Sequence, residues 1–281
     1  MALRPTYLLV TTAFVAWVVT VAVTLFPPLH FAYRSVSLHA ALETAAAIIA
    51  LIAATLVFGR FRESRRLNDL ALVTAFSVLG ATNLFFAALP AAIPHIFEPR
   101  VATWSAVAGG ILGSGLLALA AFAPAAPVRH PRGTVVAVFL SFGALLGIIA
   151  AIIAGLASDL PAGVTPGFVS GELELEGHTA FVATQIAAAV FLGLAAIGFT
   201  LKAATRSDEL IRWLAVGATL GAFARINFAL FPSLYSQWVS TGDILRIAFY
   251  AVLLIGAERE IRAYQRRGAA LAVLEERRRI A

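Results

Sequence analysis

The 281-residue chain is 60% hydrophobic and only 13% charged, with a formal charge of +6, a pI near 10.5 and a mean hydropathy of +0.90. A soluble domain carries about twice that charged fraction, and the apolar residues here fall in runs approaching the ~20 needed to cross a bilayer, which points to an all-α, polytopic membrane bundle. Cysteine is absent, removing disulfides, thiolate catalysis and cysteine-ligated metals, while the arginines gather at the edges of apolar runs, where membrane orientation accounts for them without nucleic acid.

In chain order the composition predicts eight transmembrane helices: Tyr7–Phe26, Leu38–Phe58, Leu70–Leu89, Val101–Ala123, Thr134–Ala157, Thr179–Leu201, Ile211–Phe231 and Gly242–Ala257. The first has no distinct small-residue cleavage site and another span follows closely, so it does not read as a signal peptide. The eighth is short and opens on charge. From Glu258 the sequence "EREIRAYQRRGAALAVLEERRRIA" continues without a helix breaker, so the last span is expected to run on as one rod. The chain thus divides into a transmembrane sensor domain, residues 1–258, and a cytoplasmic signalling helix, residues 259–281, expected to lead into a further module. A solitary rod is marginal and pairing across a homodimer would stabilise it, with Leu271 and Leu274 as the seam despite Gly268.

Orientation follows from the arginines. With the N-terminus in the cytoplasm, alternate loops collect Arg60, Arg62, Arg65 and Arg66, then Arg129 and Arg132, then Lys202, Arg206 and Arg212, and the tail adds the rest of the basic excess. The opposite loops hold only Arg34 and Arg100, and their longest stretch, "GELELEG", is acidic. Both termini are therefore expected in the cytoplasm, in the inner membrane of a bacterial cell.

Three GxxxG spacings, Gly109/Gly113, Gly143/Gly147 and Gly217/Gly221, permit close helix approach. Internal packing is their ordinary use, a dimer seam the other. A possible duplication is also legible. "HAALETAAA" opens the second span and "HTAFVATQIAAA" the sixth, while the third ends "NLFFAALP" and the seventh "RINFALFP". Two four-helix halves of this kind would share one orientation.

Ionisable groups within spans mark function by default. His39 and Glu43 enter from the outer side on the second span, Asn83 arrives there on the third, and Gln185 lies at a similar level on the sixth. Arg225 and Asn227 come from the seventh, Asp243 and Arg246 from the eighth. At 1.5 Å per residue all fall within roughly the outer 12 Å of the hydrocarbon. They predict one polar chamber below the outer surface, either a ligand site or a structural ion-pair network. His39 and Glu43 share a helix face, and Arg225 or Arg246 supplies Glu43 with a counter-charge.

Four of the five histidines, His30, His39, His95 and His178, lie on the outer side in this topology. His39 and His178 are weak metal candidates; no tight ligand spacing is present, and neither a metal nor a cofactor is predicted. The one lysine, Lys202, lies at a span edge, which excludes a retinal Schiff base. No GxSxG, HExxH or phosphate-binding loop occurs, so no catalytic residue is assigned.

The tail "VLEERRRIA", Val273 to Ala281, resembles the residues that lead into the dimerisation and phosphoacceptor helix of bacterial sensor histidine kinases allied to the nitrate-responsive class. In that family the next residues typically read Arg-Asp/Glu-Leu-His-Asp, and this chain stops before the histidine. The stretches "LHAALETAAAIIALIAATLVFGRF" and "RINFALFPSLYSQWVSTGDILRIAFYAVLLIGAEREI" are similar to the multi-span sensor modules that precede such kinases. The resemblance implies a non-enzymatic sensory module of a two-component system. It would work as a homodimer, with Leu271, Leu274 and Arg277 on the output path, and meet a response regulator only through the kinase part. The stimulus is left open between a small ligand and a state of the lipid bilayer. A small-solute transporter or permease is the alternative.

Overall fold

A computed structural model describes residues 5–26, 29, 33–93, 95–169, 172–205, 208–235 and 238–280; the side chains of 5, 168–169, 172–174, 261 and 263–280 are outside that description. Local sequence sets the helix limits. Ser35 caps α2 (Val36–Ser64), its hydroxyl accepting from the Leu38 amide at 3.3 Å, and Asp208 caps α7 (Glu209–Leu230) in the same way at 3.3 Å. Proline opens α4 (Pro99–Phe122) and α5 (Pro131–Gly155), where its missing N–H has no helical partner to lose. The remaining helices are α1 (Pro5–Leu25), α3 (Leu67–Ala92), α6 (Thr179–Thr205) and α8 (Thr241–Ile280).

Seven of these, α1 to α7, are long and apolar enough to cross a membrane. Their surfaces agree with that setting: Leu140 is 69% exposed, Leu119 66% and Tyr7 64%, and α5 buries none of its apolar window. The predicted spans lie within a few residues of the observed helices, and α8 runs far past the predicted eighth span as a single 40-residue helix.

Six helices close a ring in the order α2, α3, α4, α6, α7, α8, with α8 returning against α2. The first helix of each half stands outside, α1 on α7 and α6, α5 on α4 and α3. The ring thus follows chain order, but α1 and α5 do not take corresponding places, since α1 packs on the second and third helices of the other half and α5 on the third and fourth. Arg60, Arg62, Arg65, Arg129, Arg132, Lys202 and Arg212 all belong to the same end of the bundle, hereafter the basic end.

The other end carries the small strands. β1 (Tyr33–Arg34) pairs antiparallel with β4 (Trp238–Val239), tying the α1–α2 link to the α7–α8 link. β2 (Val164–Val169) and β3 (Glu172–Gly177) form an antiparallel hairpin in the register Val164 to Gly177. The acidic stretch read as a loop is thus a strand; its strict Glu–Leu alternation is the period of an extended chain.

In the basic half the ring is filled by Phe61, Phe76, Leu117, Phe199, Leu214 and their neighbours. A smaller apolar cluster of Phe181, Phe228 and Leu234 closes the hairpin end. Gly109 and Gly113 sit at the α3–α4 seam, where an added Cβ would lie 2.2 Å from Thr82 Oγ1 and 2.4 Å from Leu79 Cδ2. This pair is internal packing, whereas Gly143 and Gly147 on α5 face open space.

One irregularity prepares the site. Residues Asn83–Ala88 of α3 form a π-helical segment just before Pro90. Proline offers no N–H to the carbonyl four residues back and crowds that turn, and a wider turn relieves the conflict. The widened stretch opens with Asn83, buried inside the ring.

Candidate functional site

Between the two apolar clusters lies a buried polar centre. Glu43 of α2 has no exposed surface, and its Oε1 accepts from Arg246 Nη1 of α8 at 2.6 Å. Arg246 Nη2 donates to Asp243 Oδ1 at 3.1 Å, one turn earlier on the same helix. Asp243 Oδ2 accepts from the Ser240 amide at 2.9 Å, so this carboxylate also caps α8. The Arg246 guanidinium stands 5.8 Å from the Phe228 ring centroid. Two carboxylates without exposed surface meet one buried guanidinium here, an arrangement that needs complete pairing to be tolerated.

Pairing is incomplete at two atoms. His39 Nε2 stands 3.6 Å from the Glu43 Oε1 that Arg246 already holds, while Glu43 Oε2 and His39 Nδ1 have no partner. His39 is 6% exposed and lines a cavity of about 480 Å³ opening at the hairpin end. Arg100, His95, Thr103 and Tyr235 contribute its other polar side chains, and Phe86 and Phe97 its aromatic wall, their centroids 6.1 Å apart.

The predicted chamber residues divide among three places. His39, Glu43, Asp243 and Arg246 meet directly. Asn83 joins them through Tyr250, one turn below Arg246, donating Nδ2 to its hydroxyl at 2.7 Å. Arg225 donates to Gln185 Oε1 at 2.9 Å as a separate pair across α6 and α7. Its Nη2 reaches α4 at Gly110, where a Cβ would lie within 3.2 Å. Asn227 is elsewhere: it donates to Thr20 Oγ1 at 2.8 Å and fastens α1 to the outside of the ring. His178 Nδ1 accepts from the Ala180 amide at 3.2 Å at the start of α6. The helical backbone of α8 includes Leu271, Leu274 and Arg277, but their side chains lie outside the described residues.

The sequence reading missed Tyr250, although the i,i+4 spacing from Arg246 put both on one face. It also missed a second polar network at the basic end. Arg60 of α2 contacts Asp69 of α3 at 3.3 Å, Asp208 at the head of α7, and Glu260 of α8 at 3.8 Å. Ser64 and Asn68 also donate to the buried Asp69. Nearby, Arg259 pairs with Glu209 at 2.6 Å and lies 4.9 Å from the Trp213 ring centroid. The signal was acidic residues within an otherwise basic end. Helix α8 is thus gripped twice, at Asp243 and Arg246 and again at Arg259 and Glu260, about 20 Å apart at helical rise.

No family model matches the chain, and no curated protein or solved structure matches it.

Proposed function

We propose that this chain is the membrane sensor module of a signalling protein, in which the state of the buried centre at the hairpin end is passed along α8. In this scheme the hairpin end faces outward and the basic end faces the cytoplasm, an orientation that the arginine distribution supports. In this reading α8 is the eighth span. Its charged head is paired inside the bundle, Arg246 with Asp243 and with Glu43 of α2, and Ile244, Ile247, Leu254 and Ile255 offer an apolar outer face. At 1.5 Å per residue a 40-residue helix is about 60 Å long, roughly twice the hydrocarbon thickness, which supports reading its second half as a projecting signalling helix; we place it in a bacterial inner-membrane homodimer feeding a histidine kinase.

The observation that carries this reading is the Glu43–Arg246–Asp243 cluster, which joins a cavity-lining helix to the head of the long helix. A stimulus that binds two states of this cluster unequally moves α8, since only differential affinity shifts an equilibrium. The apolar side chains that fill the basic half of the ring, Phe61, Phe76, Leu117, Phe199 and Leu214 among them, favour this over transport.

Joining the chain to a histidine-kinase catalytic module and following autophosphorylation tests the proposal. Arg246→Ala locks output high or low, and Glu43→Gln abolishes the response to stimulus with the fold intact. Wild-type output and response in both variants would remove the link.

A further inference from the structure

At the basic end a cleft of about 640 Å³ separates the close of α2 from the start of α5, a volume within the range of small-molecule sites. Phe58 of α2 and Val135 and Val136 of α5 give it an apolar wall. The polar side chains in its described lining are three arginines, Arg62, Arg65 and Arg132, and no carboxylate lines it. All three arginines are exposed, and among the described residues none of them takes part in an ion pair. They lie at the ends of α2 and α5, two helices long and apolar enough to span, which is the level at which a bilayer carries its headgroups.

The rim of the cleft is held by backbone. Arg65 follows α2 with a φ of 50°, the left-handed conformation that glycine or asparagine ordinarily supplies at this place. Its amide donates to the Phe61 carbonyl at 2.7 Å and its carbonyl accepts from the Val128 amide at 2.8 Å. Beside it the Leu67 amide donates to the Ala126 carbonyl at 2.9 Å. The link that carries Arg65 is thereby fastened to the link that leads into α5 and Arg132. Below the rim, Arg132, Val136 and Leu140 recur at i,i+4 on one face of α5. Gly143 and Gly147 continue that face with open space around them.

We propose that this cleft binds an anionic phospholipid, its phosphate among Arg62, Arg65 and Arg132 and one acyl chain along the face of α5 that runs from Val136 to Gly147. The planar guanidinium fork matches phosphate oxygens, and basic pockets between membrane helices suit anionic headgroups. A soluble phosphate would satisfy the arginines and leave the apolar wall uncovered, whereas a lipid covers both with one molecule. A zwitterionic lipid brings its own ammonium against three cations. A second copy of the chain, packed on this face in the same orientation, would set Arg132 beside its own counterpart. The inference needs only the membrane setting and stands apart from the sensor reading.

The test uses the full chain in micelles of an uncharged detergent, with lipid retention read by native mass spectrometry. Phosphatidylglycerol is the probe; phosphatidylcholine of the same acyl chains and soluble glycerol phosphate are the controls. The expected result is one phosphatidylglycerol retained per chain, with phosphatidylcholine weaker by about tenfold or more. Arg62→Gln, Arg65→Gln and Arg132→Gln each weaken retention by about fivefold and the triple variant by about a hundredfold. Unfolding of the Arg62 and Arg132 variants in the same micelles is unchanged, because neither side chain has a partner to lose. Arg129→Gln, an exposed arginine of the same end outside the cleft lining, leaves retention unchanged. Val136→Gln weakens the lipid by about threefold or more, through its apolar wall. Equal retention of the two lipids overturns the proposal, as does a loss in Arg129→Gln as large as that in Arg132→Gln, which would mean diffuse charge. Displacement of the lipid by an equal concentration of glycerol phosphate also overturns it and leaves a soluble-anion site in its place.

Discussion

Replacing Arg246 with methionine keeps most of the side-chain volume and removes the one cation among the described residues that pairs with both Glu43 and Asp243. Both carboxylates have no exposed surface, and Glu43 Oε2 already lacks a partner, so neither can recover hydration without opening the ring. Removing one partner of a buried ion pair costs about 3–5 kcal/mol, because an uncompensated charge stays behind. Unfolding in mixed micelles, followed by tryptophan fluorescence, reads this loss. The decisive comparison is the neutral triple variant Glu43→Gln/Asp243→Asn/Arg246→Met. It should recover most of the loss, since replacing a whole buried network is often neutral or stabilising by about 1–4 kcal/mol. A single-variant loss below about 1 kcal/mol, the range of exposed pairs, would refute the buried-charge reasoning. So would a triple variant no more stable than the single.

Two further outcomes follow from the geometry. Gly109→Val drives its Cβ into Thr82 at 2.2 Å and should destabilise by about 1–3 kcal/mol, whereas Gly147→Val, with open space around it, should leave unfolding in the same micelles within about 0.5 kcal/mol. Arg60→Gln strips the buried Asp69 of its Arg60 counter-charge and removes the Arg60 contact to Glu260, so amide exchange after Ala257 should quicken while exchange around Arg246 is unchanged; equal protection in variant and wild type would show that Arg60 does not hold α8.

Much of the site was legible because polar residues in apolar helices are few and their depth follows from counting along the span. His39, Glu43, Asp243 and Arg246 were assigned to one level and do meet. Depth alone does not give azimuth, however. Arg225 and Asn227 share a level, but two residues on an α-helix are about 200° apart, so one enters the ring and the other turns to Thr20. Arg60 was read only as a marker of orientation, because its partners Asp69, Asp208 and Glu260 come from three helices distant in sequence.

By itself the sequence determined the membrane-compatible class, the helix limits, the segregation of basic charge and the long final helix. Those properties are local: hydropathy, caps, prolines and breakers act within a turn or a span. Tertiary structure alone decided that six helices close into a ring, that α1 and α5 stand outside it, and that a π-helical turn brings Asn83 to Tyr250. It also decided which two atoms at the centre stay unpaired. Such outcomes depend on the rotation of each helix about its axis, which is set by side chains interlocking across neighbours rather than by any residue's own preference.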